Sequence, residues 1–373
     1  MTGRTRLPLA RLISIAALLL LCAAPSLARP IIVHGSIQAT LDAANPGDTI
    51  LVPPGVYAEC PVVSKSNLTI VGAREAVIDA TGCANGLTVG TGSLGTDPDT
   101  GLPTCPPITI DGFTLRGLTI ENADPNGVFI IGATHFHVVG GKYVANGEYG
   151  IFPRCSTYGL IDANVVDGAN VAEDAGIYVG VDDHVDVQSN VVTGSPIGIE
   201  VENSLNTRVR WNVATGNTSG VLAVVLPGLP RAATDNVLIE GNTIVRNNLP
   251  NPFAPTDLDD IALIPTGTGI LDVGADHVVI QRNLITGNDT VGVAIVKDPD
   301  VFVKADPRID PFPDNGVVRE NWIVGNATNP DPARPGTPSA DIVYDNSSPT
   351  QCFANNVFGT DFPAGITSSL PCP

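Results

Sequence analysis

Helical periodicity is almost missing from this chain. Only SIQATLDAAN, residues 36–45, sets apolar side chains (Ile37, Leu41, Ala44) at helical spacing behind an N-cap candidate, Ser36, before Asn45-Pro46-Gly47 stops the turn. Positive charge is scarce as well, with 19 Lys+Arg against 38 Asp+Glu, which argues against nucleic acid and anionic membrane surfaces as partners. Aromatic residues make up 5% of the chain, so any cluster of them calls for a reason. No CxxC pair occurs, and the one long apolar run, Leu12 to Ala24, is too short for a membrane span.

That run follows Arg4, Arg6 and Arg11 and ends in Ser26-Leu27-Ala28, a small-x-small pattern, so residues 1–28 read as a secretory signal peptide. Lipid anchoring through Cys22 is the weaker reading, because Leu21 stands where a small residue belongs. Removing the leader takes away three arginines and no acid. The balance becomes 16 against 38, a net charge near −22. Six cysteines remain, an even number in an exported chain, which favours disulfides over metal ligation. Cys352–Cys372 is the most local pair, and Cys60–Cys83 is separated by about one repeat. Cys105–Cys155 follows only by elimination among about 15 connectivities. The expected location is secreted, extracellular or periplasmic, and the expected state is a monomer.

What is present is a repeat. One unit is apolar-x-apolar-x-x-Asn-x-apolar-x-x-Asn, as in VLIEGNTIVRN at 237–247 and VVIQRNLITGN at 278–288. The other is Gly-apolar-x-apolar, as in GIYV at 176, GIEV at 198 and GVAI at 292. Gly176 to Asn190 and Gly198 to Asn212 are both 14 residues, and Asn190 to Gly198 and Asn212 to Gly220 are both 8, so the uninserted coil is 22 residues. A helix-free repeat of β-branched strands at this period predicts an all-β solenoid, residues 29–373, whose coils stack at about 4.8 Å. A leucine-rich horseshoe would need a returning segment where the second β-type unit stands. The Asn positions predict left-handed bends at Asn164, Asn190, Asn212, Asn242, Asn283 and Asn321, with Gly141 as their substitute and side-chain amides bonded along the axis. Residues 36–45 predict a helix capping the first coil, and residues 351–372 a disulfide-closed cap over the last.

IQATLDAANPGDTILVPPGVY together with the Asn repeats resembles the right-handed parallel β-helix proteins of the pectin lyase-like superfold, over essentially the whole mature chain. YGIFPRCSTYGLI, DAGIYVG, IGIEVENS and CFANNVFGT are similar to a narrower group of secreted bacterial β-helix repeat proteins. The resemblance implies a single-stranded right-handed β-helix that acts on or binds a polysaccharide, as lyases, glycosidases and epimerases of this fold do. The resembling alginate carbon-5 epimerases carry Tyr-Gly-Phe-Asp-Pro-His, where Asp and His do the chemistry. Here Tyr149-Gly150-Ile151-Phe152-Pro153-Arg154 puts Phe152 and Arg154 at those places, so that mechanism does not transfer. Polygalacturonase motifs are missing too, and Asp182-Asp183 reads as a solvated turn. The resembling pectate lyases pair an arginine base with carboxylate-bound calcium. That resemblance implies catalytic parts for Arg154 and Glu200, with Glu202 beside them, and admits Ca²⁺ as the one cofactor.

Insertions at 224–234, 247–267 and 296–316 all fall next to the Gly-apolar-x-apolar strands, which marks that side as the binding face. Strand alternation then turns Phe129, Phe152, Tyr178, Glu200 and Leu222 outward in successive coils. Three outward aromatics suit sugar C–H faces, so Phe129, Phe152, Tyr178 and Glu202 are the expected substrate-binding residues, with Tyr178 also a catalytic candidate. The function expected is binding or modification of an extracellular polysaccharide in an open cleft over these residues, the competing class being a non-catalytic surface or adhesion scaffold. His135, Tyr158, His184, Asn206, Asn236 and His277 recur six residues before the bend and read as a stack of corner residues. His135 and His137 both point outward there.

Overall fold

In the computed structural model, residues 30–257 and 260–373 are described. The signal-peptide segment and Cys22 lie outside them. The chain winds through three long sheets, of 12, 11 and 11 strands, in which every neighbouring pair is parallel and each strand pairs with its equivalents one coil earlier and later. The register is strict, for example Val187↔Val209, Val192↔Ala214 and Ile199↔Ile177, so β-branched side chains stack on their own equivalents along the axis. Helix α1 (Ile37–Ala43) caps the first coil. Ser36 Oγ accepts from Ala39 N, Glu59 accepts from the Ile37 and Gln38 amides, and Ile37 and Leu41 are buried against the first coils. At the far end, Cys352–Ala354, Val357–Phe358 and Asp361–Phe362 each join one of the three sheets, so this segment is one more coil as well as a cover. A short C-terminal helix (Ile366–Ser369) and the Cys352–Cys372 disulfide close it. Cys60–Cys83 and Cys105–Cys155 are the other two bonds.

The asparagines form the ladder that their spacing predicts, but not with the predicted backbone. Left-handed φ falls one residue earlier, on Ala163, Ser189, Trp211, Gly241, Arg282 and Glu320, and likewise on Gly140 rather than Gly141. The reason is the side chain. Each Asn must turn inward so that its Oδ1 takes the backbone N–H and one side-chain N–H of the preceding coil's Asn, as in Asn190→Asn212 (2.9 and 3.0 Å) and Asn212→Asn242 (2.8 and 3.1 Å). Its own Nδ2 also donates to a buried carbonyl, for Asn212 that of Val187 at 2.9 Å. Gly141 has no amide to offer, and a Cβ there would lie 2.5 Å from the Tyr143 hydroxyl. A second ladder runs Asn217→Asn247→Asn288→Asn326 at 3.0–3.1 Å and ends on Asp341. Asp182 corrects another expectation: it is buried, its Oδ1 accepting from Ser156 N at 2.6 Å, because the corner it occupies faces the axis.

Candidate functional site

The third sheet carries the residues singled out above. Strands Asn126–Ile131, Tyr149–Arg154, Ala175–Gly180, Ile197–Glu202 and Ser219–Val224 stack there, followed by Thr268–Val273, Val291–Val296 and Ala340–Tyr344. Their register joins Phe129↔Phe152, Tyr178↔Glu200↔Leu222↔Leu271↔Ala294↔Val343 into one outward column. A neighbouring column runs Ile131↔Arg154↔Gly180↔Glu202↔Val224↔Val273. Gly180 explains how the two columns communicate. A Cβ at that position would lie 1.9 Å from the Tyr178 ring, so only glycine lets the ring lean across and its hydroxyl donate to Glu202 Oε1 at 2.6 Å. Phe152 meets Tyr178 edge-on, with centroids 4.5 Å apart, and Phe129 lies 5.1 Å from Phe152.

The column faces outward as alternation requires, but the open cleft expected over it is closed. Phe152 is 6% exposed, Tyr178 4%, Glu200 2% and Glu202 5%. The cover is the insertion between Asn247 and Thr268, whose Ile261 and Ile264 are buried in one apolar cluster with Phe152, Tyr178 and Leu222 and whose Phe253 packs against that cluster. The loop between Ile323 and Ala340 pins it: Arg334 donates to the Ala262 carbonyl at 2.7 and 2.9 Å and to that of Phe253 at 3.1 Å, and its ion pair with Asp331 is buried.

Beneath this cover the sheet holds more chemistry than the sequence reading found. Tyr149, missed because it stands before its glycine, packs 4.9 Å from Tyr178 and donates to Asp174 Oδ2 at 2.6 Å. Asp174, from the turn before its strand, shares a hydrogen bond with Glu200. Burial pushes both carboxyls well above their usual range. The charges of Glu202 and Asp260 add to it. Burial also raises Glu202 to about 7, against the pull of the Tyr178 hydroxyl and Arg154. Both tyrosines are raised by burial and the surrounding carboxylates. Arg154 lies 5.8 Å over the Phe152 ring.

Along the same sheet the cover gives way to a groove of about 480 Å³ over Leu222, Leu271, Ala294 and Val343. Its walls come from the insertions, including Ile264, Pro299, Phe302 and Pro338, with Asp260 on its edge, so that residue borders the groove and raises the pKa of the buried carboxyls. The histidines stay apart from all of this. His135, Tyr158 and His184 stack at 5.4 and 4.9 Å in left-handed corners, and His135, His184 and His277 each pair with a separate aspartate.

Residues 108–327 match the family model described as periplasmic copper-binding protein (NosD). None of the curated proteins compared with the chain matches it. Among solved structures, the A-module of Azotobacter vinelandii mannuronan C-5 epimerase AlgE6 is 18% identical at a TM-score of 0.58, covering 83% of this chain and 74% of its own. The AlgE4 A-module is 17% identical at 0.52, covering 86% and 90%. A tailspike double mutant of E. coli bacteriophage HK620, in complex with a pentasaccharide, is 13% identical at 0.60, covering 87% of this chain and 60% of its own. These likenesses establish the right-handed parallel β-helix. Copper is another matter, because its donors are not gathered here. Six of the seven cysteines, all those among the described residues, are in disulfides, Met1 is the sole methionine, and among the described residues no three His, Cys, Asp or Glu side chains converge on a metal position. The bonds Cys60–Cys83, Cys105–Cys155 and Cys352–Cys372 point to an oxidising compartment, extracellular or periplasmic, and among the described residues no helix is long and apolar enough to cross a membrane. With more than half of its 373 residues matched by that one family model, and its coils intact across the match, the chain belongs to the NosD family of parallel β-helix proteins.

Proposed function

We propose that the protein binds an extracellular saccharide along the outer face of its third sheet, and that the carboxyl–tyrosine cluster of Tyr149, Asp174, Tyr178, Glu200 and Glu202 acts on it. One observation carries the reading: a groove opens directly beside the cluster, and Asp260 belongs to both. Glu200, raised well above the usual carboxyl range by burial, has the character of a general acid, and Glu202, raised to about 7, exchanges its proton at physiological pH. Arg154, beside Glu202, supplies positive charge for an oxyanion. Lyase, glycosidase and epimerase chemistry all use such groups. The substrate is neutral, because a mature chain near −22 repels polyuronates unless Ca²⁺ bridges them.

Burial of Phe152, Tyr178 and Glu200 favours a second reading, a non-catalytic scaffold in which the cluster only anchors the cover. A glycan array paired with reducing-sugar and unsaturated-product assays separates the two. Binding or turnover that Glu200→Gln and Tyr178→Phe each reduce at least tenfold, with melting temperatures unchanged, supports the first. Failure of every glycan to bind, or ligand binding indifferent to both changes, leaves the scaffold.

A further inference from the structure

We infer that the groove beside the cluster is the seat of an alkyl chain, so that the ligand is a neutral glycolipid with its sugar at the cluster and its tail over Leu222, Leu271, Ala294 and Val343. This rests on the saccharide reading above and adds the other half of the ligand. Four coils in succession place an apolar side chain at the same outward position, where the coils before them place Phe152, Tyr178 and Glu200. Ile264 and Phe302 wall the floor from two separate insertions, giving about 480 Å³, a volume in the range of small-ligand pockets. A bare sugar chain does not suit it. Its hydroxyls would leave water for a surface with few partners, and each one left unpaired weakens binding. An alkyl segment loses nothing there and covers apolar surface that otherwise faces solvent.

Charge decides the head group. The charged side chains at the groove are Asp260, Asp345 and Lys297, and the Lys297 ammonium is already paired with Asp300 at 3.0 Å. The rim is therefore net acidic, like the chain as a whole, and turns away anionic amphiphiles. The floor residue Leu222 also stands one coil after Glu200 in the same column, and Asp260 borders the groove, so the head group would meet the carboxyl and hydroxyl groups of the cluster, which match sugar hydroxyls rather than a phosphate or sulfate.

The probe is a series of n-alkyl glucosides from hexyl to decyl, titrated calorimetrically below their micelle concentrations against the full disulfide-bonded protein. Affinity is expected to rise about three- to fourfold per methylene. Ala294→Phe, which fills the floor, should flatten that rise, and Phe302→Ala, at the half-buried wall, should weaken it. The second variant keeps the test valid if the first fails to fold. Decyl sulfate at low salt should bind at least tenfold more weakly than decyl glucoside. Affinity that is independent of chain length, or insensitive to both variants, overturns the inference while leaving the saccharide reading standing if free oligosaccharides bind. Equal binding of decyl sulfate overturns the charge argument, and with it the neutral head. A sugar-free neutral amphiphile, decyl dimethylamine oxide, binding as tightly as decyl glucoside would keep the groove but remove the sugar, and so refute the glycolipid.

Discussion

Asn212→Ala should be among the most damaging polar substitutions in the molecule. The side chain of Asn212 is 1% exposed and holds four hydrogen bonds: Oδ1 accepts from the Asn190 amide and Nδ2, and its own Nδ2 donates to the Val187 carbonyl and Asn242 Oδ1. Alanine leaves two donors without partners, the Asn190 backbone N–H and the Asn190 side-chain N–H, and takes one of the bonds at the Val187 carbonyl. The Asn242 oxygen keeps the Asn212 backbone N–H. Each buried orphan costs about 1–3 kcal/mol, so the total is on the order of 4 kcal/mol. The same change at Asn356 removes equivalent bonds from Asn321 and Val318, but this last rung is half-exposed and water replaces the amide, which lowers the cost to about 1–2 kcal/mol. Urea unfolding followed by circular dichroism and by tryptophan fluorescence tests the pair, since Trp211 and Trp322 adjoin the two rungs. Amide exchange at residues 187–190 gives the local readout. Equal losses for the two variants, or no gain of exchange at Asn190, would refute the claim that burial of the ladder sets its strength.

Glu202, raised by burial to about 7 from 4.5, contributes stability that is fully present below pH 4.5 and lost as pH rises through 7. The loss is on the order of 3 kcal/mol, and Glu202→Gln should flatten that part of a stability–pH profile. Asp298 is raised to about 8, first by burial and then by Asp310, so Asp298→Asn should melt above the parent at pH 9, with a smaller gap at pH 5. Arg334→Ala should free the cover, since it removes three bonds to the Ala262 and Phe253 carbonyls. Limited proteolysis within residues 250–264 should accelerate severalfold while cleavage at the opposite end of the solenoid stays unchanged.

The coils were readable because a solenoid repeats its constraints. A 22-residue spacing with Asn and Gly at fixed places leaves few other folds, and Ile37, Leu41 and Ser36 announced the cap for the same local reasons. The one-residue displacement of the left-handed bend was not readable from propensity, because what fixes Asn190 or Asn212 is a bond to the next coil rather than its own backbone preference. The site was half legible. Alternation put Phe152, Tyr178 and Glu200 on one outward column, and the register agrees. Their burial depends on residues 250–264, an aperiodic segment held by an arginine some 70 positions later (Arg334 to Ala262 is 72), and no local pattern encodes such a contact. Tyr149, Asp174 and Asp260 reach the cluster from a strand start, a turn and that same insertion, so only the closed fold brings them together.

The second amide ladder has a sense of direction. Asn217, Asn247, Asn288 and Asn326 each hand hydrogens to the next coil, and the last of them hands its own to Asp341. A carboxylate only receives. Its Oδ1 takes both hydrogens from Asn326, and its Oδ2 takes those of Gly359 and Thr360. Asp341 thus works as a chain terminator works in a polymer. Upstream of it, the gene can duplicate or delete a whole 22-residue unit and every new rung finds a donor behind and an acceptor ahead, whereas a coil copied after it would meet no donor to continue from. The place where this ladder stops, one coil short of the last strands, is written in a single oxygen-for-nitrogen exchange.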